Sequence, residues 1–341
     1  MGGFRLKLDY LCLDITAGSN REEETMKNRL YSPAVKKSAL WLSILIAFVL
    51  SASGAISWTA KAGTLDLVPG YSVLSRPTDV PYTEYVPKQA DILGGATGAA
   101  IATCPDDSIV VGGGYSADHD VTFYTQYKYD NGWRGDARNN STIDKKISVY
   151  AVCLHNVPGA SVTQTHGQVD VSPGNDALAV AYCPAGSIGT GGGFHAYDDG
   201  RLRVYNSTIA DGSEGWQSWA HNTDDSTYTY HVYAICLTGS AGSMARVFKS
   251  AVAPPTETAS AGPKCSLNSI LTSGGFAAQD ELLIYVNSGP YSDDEWQVDV
   301  KNTHLSKNRT IFGYAYCLSL PGLPFYDEFY YLPLLANAAL P

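Results

Sequence analysis

Three segments of the chain are apolar on both faces. They cover residues 147–154, 230–237 and 311–318, and all are rich in β-branched and aromatic side chains. Runs of this length and character predict strands covered on both sides. Ahead of each run lies an alternating segment. Trp296, Val298 and Val300 share one face while Gln297, Asp299 and Lys301 share the other, and the pattern returns with Trp216, Ser218, Ala220 and with Trp133, Gly135, Ala137. Such alternation predicts a strand with one wet face and its Trp turned into the core. Trp219 falls on the wet side of its strand, which makes it a candidate ligand contact. Further upstream, short segments opening on Ile109, Ile188 and Ile270 run into consecutive glycines. Glycines inside a strand predict a bulge or the close approach of another backbone. No stretch after Ala62 shows a helical period.

Aligned on these patterns, the chain repeats. The first copy carries Cys104-Pro105, Gly112-Gly113-Gly114, Trp133, Asn139, Tyr150 and Cys153. The second carries Cys183-Pro184, Gly191-Gly192-Gly193, Trp216, Asn222, Tyr233 and Cys236, and the third Cys265, Gly274-Gly275, Trp296, Asn302, Tyr314 and Cys317, with Ser273 in the first glycine slot. Trp to Asn is six residues in every copy, and Asn to the second Cys is 14, 14 and 15. A period near 80 residues makes this a tandem-repeat protein. Polar turns divide the copies, which gives repeats over 83–157, 160–239 and 244–320. The three Asn sit where the alternating strand gives out and read as turn residues.

Six of the seven cysteines fall two to a copy, and the seventh, Cys12, lies far upstream. Six thiols allow 15 connectivities. Equivalent placement selects Cys104–Cys153, Cys183–Cys236 and Cys265–Cys317, each closing its own copy at about 4 kcal/mol in the chain-entropy account. Zinc is the competing use, but the Cys-x-x-Cys clustering it favours is absent.

The combination Cys-Pro-x-Gly, Gly-Gly-Gly-Phe, Trp-x5-Asn and Tyr-Ala-x-Cys-Leu resembles a repeat unit of secreted bacterial proteins. The second copy matches best, through Cys183-Pro184-Ala185-Gly186 and Gly191-Gly192-Gly193-Phe194. The likeness covers about residues 83–320 and implies a secreted, disulfide-closed β repeat, with no activity or site carried over. A comparison of plan rather than of residues is with egg-membrane proteins built as a threefold β-prism. The expected class is therefore all-β, with three tandem, disulfide-closed, sandwich-like repeats. Short linkers favour neighbours that touch without merging their sheets; the threefold β-prism is the alternative.

Residues 38–60 carry no charge and follow Lys27, Arg29, Lys36 and Lys37. A basic lead, a short apolar heart and small residues after it make 26–62 a signal peptide. A retained anchor is the other reading, and the only route to a membrane. Residues 1–25, with Glu22-Glu23-Glu24 ahead of the basic region, read as a leader from a start assigned too early, Met26 being the natural start. The apolar, aromatic tail 321–341 is expected to pack on the third repeat or serve assembly. Both readings of 26–62 put the repeats at the cell surface or beyond it.

From Gly63 onward Lys and Arg number 15 and Asp and Glu 28, a net charge of −13. That sign argues against nucleic acid and anionic membrane surfaces as partners. Calcium is the one cofactor it suggests, through the acidic pairs Asp198-Asp199 and Asp293-Asp294, although loop carboxylates also serve as solvated turns. The Gly runs are followed by neither Lys nor a helix, as a phosphate loop requires, and no nucleophile elbow or zinc-protease motif occurs. The seven His do not recur at equivalent positions. The expected function is a non-catalytic extracellular structural or interaction protein, with a glycan or another cell-surface component as partner. A carbohydrate-binding array is the alternative, resting on Trp219 and the many Tyr.

Overall fold

The structure is a computed structural model that describes residues 80–321 and 323, apart from 197–199, 211–213 and 279–281. The leader 1–25, the segment 26–62 and, but for Pro321 and Leu323, the tail 321–341 lie outside the described residues. Every regular element among the described residues is a strand. Repeat 1 supplies β1 (Tyr82–Ile92), β2 (Thr97–Thr103), β3 (Ile109–Ala117), β4 (Val121–Tyr129), β5 (Gly132–Asn139) and β6 (Lys145–His155). Repeat 2 supplies β7 (Ser161–Val171), β8 (Asp176–Tyr182), β9 (Ile188–Ala196), β10 (Leu202–Ile209), β11 (Gly215–Asn222) and β12 (Tyr228–Thr238). Repeat 3 supplies β13 (Ser243–Ala253), β14 (Thr258–Ala261), β15 (Ile270–Ala278), β16 (Leu283–Pro290), β17 (Trp296–Asn302) and β18 (Arg309–Ser319).

Each repeat is a small sandwich of two three-stranded layers. In repeat 1 these are β1-β6-β3 and β4-β5-β2, and the other two repeats copy the order. The disulfides Cys104–Cys153, Cys183–Cys236 and Cys265–Cys317 are those expected from the spacing, with Cα atoms 5.5–5.6 Å apart. Each runs from the loop after a strand of one layer to the long central strand of the other. At the opposite end of the sandwich the repeated Asn takes the same part. Asn139 Nδ2 donates to Ile92 O at the end of β1 and to Ile143 O in the following turn, while its Oδ1 accepts from Ser141 N. Asn222 and Asn302 repeat this with Val171 O and Ser226 O, and with Ala253 O and Lys307 O. All three are fully buried, so these are turn residues that also tie the layers together.

The repeats are tandem, sandwich-like and disulfide-closed, but the expectation that neighbours would not merge their sheets is corrected. The β4 strand of repeat 1 hydrogen-bonds to β9 of repeat 2, β10 of repeat 2 to β15 of repeat 3, and β16 of repeat 3 back to β3 of repeat 1. Three six-stranded antiparallel sheets result. Sheet A is β1-β6-β3-β16-β17-β14, sheet B is β2-β5-β4-β9-β12-β7, and sheet C is β13-β18-β15-β10-β11-β8. Each takes one layer from each of two repeats, so the alternative plan, the closed threefold prism, describes the way the sandwiches join.

The glycine run explains the merger, and each of its positions has a separate cause. A methyl on the middle glycine would overlap the repeat's own Trp ring: Trp133 lies on Gly113, Trp216 on Gly192 and Trp296 on Gly274. A methyl on the third would strike a carbonyl of the neighbouring repeat, Ser288 O at Gly114, Gln126 O at Gly193 and Ser207 O at Gly275. The first slot faces the threefold axis, where β3, β9 and β15 meet. There Thr190 Oγ1 donates to Val111 O and Thr272 Oγ1 to Thr190 O, both at 2.8 Å, and Ser273 Oγ donates to Thr190 O at 2.7 Å. A serine fits where the other copies have glycine because its hydroxyl finds that carbonyl. The ladder registers of β3, β9 and β15 slip at equivalent residues, Val111, Thr190 and Thr272, each just before the first slot, so the bulge expected from the sequence is present in each copy as well.

The three Trp are the largest buried side chains, each at most 1% exposed. Their indole nitrogens donate to Gln126 Oε1, Ser207 Oγ and Ser288 Oγ at 3.4, 2.8 and 3.1 Å. Burial with a partner for the one polar atom is the arrangement a core Trp needs.

Candidate functional site

The features kept in all three copies lie in the interior: the disulfide, the glycines, the Trp, the Asn. The Tyr of the Tyr-Ala-x-Cys segment is the exception. Tyr150, Tyr233 and Tyr314 are half-buried on the outer faces of sheets A, B and C, because they alternate with the fully buried Val149, Val232 and Gly313 positions along their strands. Around these Tyr the three faces differ.

Sheet B surrounds its Tyr with imidazoles. Antiparallel register sets His195 directly opposite His231 and His166 directly opposite Tyr233. The Thr125–His195 pairing at the junction then brings Tyr127 of repeat 1 alongside. Five rings close a circuit on this face: Tyr127 to Tyr233 at 5.1 Å, Tyr233 to His166 at 6.3 Å, His166 to His231 at 5.8 Å, His231 to His195 at 6.2 Å, and His195 to Tyr127 at 6.0 Å. His195 Nδ1 is fixed by Thr125 Oγ1 at 2.7 Å, and that threonine is fully buried. Desolvation, with the charge of His166 adding to it, holds the His231 imidazole below its usual range. Arg134 extends the face, paired with Asp136 at 2.9 Å and lying 5.8 Å from the Tyr129 ring.

Sheet C has Phe248 and Phe312 where sheet B has His166 and His231. Phe248 is 63% exposed and lies 6.4 Å from both Phe312 and Tyr314, and the Arg246 guanidinium sits over Tyr314 at 5.6 Å. Exposed Phe beside Arg is the composition of a contact surface rather than of a solvated one. Sheet A has Pro87, Ser148, Ser116 and Gly289 at the corresponding register positions and is bland.

Trp219 lies where the alternation put it, half-buried on the outer face of sheet C and opposite Leu178. Its ring is 6.4 Å from Tyr205 at an angle of 32°. Asp293 and Asp294 are in the turn before β17. Asp294 Oδ1 accepts from Ser292 Oγ at 2.6 Å, and the Asp293 carbonyl accepts from Tyr85 Oη at 3.0 Å. Asp198 and Asp199 lie outside the described residues. Among the described residues no three His, Cys, Asp or Glu side chains are grouped as metal ligands.

No protein-family model matches the chain, and neither does any curated protein.

The ring circuit of sheet B escaped the sequence reading. Its His come from three strands that pair out of chain order, β7, β12 and β9, and its fifth ring comes from another repeat. The one available signal was that four of the seven His, His166, His195, His221 and His231, fall in repeat 2, each at an outward position of a strand.

Proposed function

We propose that this is a non-catalytic extracellular interaction protein: a rigid prism that meets its partners through the outer faces of sheets B and C. One observation carries the reading. Three copies of one sandwich keep the same interior yet carry different side chains around the same outward Tyr. Packing explains the common interior, while the differences outside point to contacts made face by face. The faces are rich in Tyr, Phe, His and Arg, most of them types enriched at the centres of interfaces. Three disulfides fit an oxidising compartment outside the cytosol. The expectation of export also rests on residues 26–62.

A second reading has a specific observation in its favour. Trp219 and Tyr205 form an outward aromatic pair of the kind that stacks on the apolar face of a sugar, as the carbohydrate-binding alternative requires.

Glycan arrays and isolated cell-envelope fractions are the assay, with the wild-type protein against Tyr127→Ser/Tyr233→Ser, Phe248→Ser and Trp219→Ala. Loss of envelope binding in either of the first two variants supports the interaction protein. Glycan binding lost in Trp219→Ala alone supports the lectin. Binding unchanged in all three removes the outer faces from consideration, and turnover of any glycan overturns the non-catalytic reading.

A further inference from the structure

At one end of the prism the starts of β4, β10 and β16, the fourth strands of the repeats, come together around a cavity. The cavity there measures about 310 Å³ and is lined by equivalent residues of all three repeats, which sets it on the threefold axis. Its origin lies in a broken symmetry. In repeat 1, Tyr115 stacks on Phe123 with centroids 4.1 Å apart, and in repeat 3, Phe276 lies against Tyr285 at 4.0 Å with the rings tilted by 31°. Phe123 and Tyr285 each sit just before the bulge in their strand, and in repeat 2 that position is Val204. Phe194 therefore lacks the ring that lies about 4 Å from its counterparts; it meets Tyr230 of its own repeat at 6.5 Å, tilted, and Phe276 edge-on at 6.4 Å. The missing ring is the space.

The floor and walls are aromatic: Tyr115, Phe123, Phe194 and Tyr285 all line the cavity. Its rim is polar. Thr122, Arg203 and Ile284 occupy one structural slot in the three repeats, and among the described residues Arg203 is the one charged member of the lining. Asn140 at the rim donates to Thr122 Oγ1 at 3.0 Å. Tyr115 is 2% exposed, and burial alone pushes its phenol pKa up, with no hydrogen-bond partner for the hydroxyl among the described residues. Buried donors are nearly always paired, so a phenol on a cavity wall calls for an acceptor from a ligand or a water.

We infer that this axial pocket binds a small aromatic carboxylate. A planar ring takes the place that Val204 leaves beside Phe194, in the edge-to-face and offset contacts aromatic walls favour. The carboxylate faces Arg203, which binds planar anions through two parallel donors. The volume is at the lower end for ligand pockets, which suits a one- or two-ring molecule. This inference is independent of the outer-face reading above, because none of its residues is among the rings and guanidinium groups that carry that reading.

The probes are 2-naphthoate and its neutral counterpart 2-naphthalenemethanol, titrated calorimetrically into the oxidised protein. Wild type should bind one equivalent of 2-naphthoate, and hold it about tenfold more tightly than the alcohol, as befits a hydrogen bond to a charged group. Val204→Phe supplies the missing ring and should abolish binding, with Val204→Leu intermediate; near-UV circular dichroism verifies that each variant is folded. Arg203→Gln should bring the acid down to the affinity of the alcohol. The inference fails if wild type shows no saturable binding, if folded Val204→Phe or Val204→Leu binds like wild type, or if Arg203→Gln keeps the preference for the acid.

Discussion

Replacing one glycine of a run by alanine separates the three causes assigned to that run, and repeat 2 offers the cleanest comparison. At Gly192 the added methyl would stand closer than 3.0 Å to Cγ and Cδ2 of Trp216 on one side and to Tyr233 O on the other. Carbon contacts settle near 3.5–4.0 Å, so one of these groups must retreat by roughly an ångström. The carbonyl belongs to the central strand β12 and the indole is wedged between two layers, so neither yields freely. Overpacking alone gives about 1–3 kcal/mol, and full expulsion of the Trp about 3–5 kcal/mol, which brackets Gly192→Ala near 3 kcal/mol. At Gly191 the methyl would meet Val111 O at 2.9 Å and Ser273 Cβ at 3.1 Å, and the third repeat already holds Ser273 in this slot. Gly191→Ala should therefore stay within about 1 kcal/mol of wild type, like other substitutions that add volume without displacing a core group. Equilibrium urea unfolding of the oxidised proteins measures both. Heat should show Gly192→Ala melting about 6–12 °C lower, by the usual scaling for a domain of this size. Equal stability of the two variants, or the reverse order, would refute the assignment of the middle position to the Trp and the first to the axis.

The axis gives a second expectation: Thr190→Val removes a buried hydroxyl and should cost about 1 kcal/mol, whereas Val111→Thr sets a hydroxyl near Thr272 O and should be neutral or stabilising, both read from denaturant midpoints. At the sheet B face, the folded His231 pKa lies below the ordinary value of 6.5, so the unfolded chain takes up the proton first. Stability is then full above that value and falls as pH drops through it; His231→Gln should flatten the midpoint profile between pH 8 and 5, and an unchanged slope would remove His231 as its source. Residues 160–240 expressed alone leave the junction edges of β9 and β10 open, so sedimentation should find no folded monomer; a cooperative monomeric fold would mean that the junctions contribute little.

The sandwich was legible because its signals are local. Cys at equal offsets, a Trp on the dry side of an alternating strand and an Asn at its end all act within one repeat. The joining of sandwiches was not, since each junction rests on two ladder pairings, such as Thr125 with His195 and Gln126 with Phe194, between strands whose sequences read the same whether or not they merge. The glycines predict a bulge or a close approach of backbone, and both occur; what the sequence does not name is the owner of that backbone, which is the next repeat. The axial pocket was hidden for another reason. Tyr115 to Phe123, Phe194 to Val204 and Phe276 to Tyr285 are eight, ten and nine residues apart, so the slot with the missing ring comes into line only through the bulges.

The pairing of β16 with β3 carries a consequence for the order of events in folding. It joins Ser288 to Tyr115 and Asn287 to Ser116, across more than half of the described chain. Repeats 1 and 2 can zip together as soon as both exist, and repeat 3 can add to repeat 2. Until β16 arrives, however, β3 is the bare margin of a half-built sheet, able to pair with any other open strand. Contacts of such long range are slow to form, because their loop entropy falls due before their enthalpy is realised. Stopped-flow refolding should thus show a late phase tied to closure. A chain ending before Leu283 should retain that open margin and associate with its own kind, in proportion to concentration.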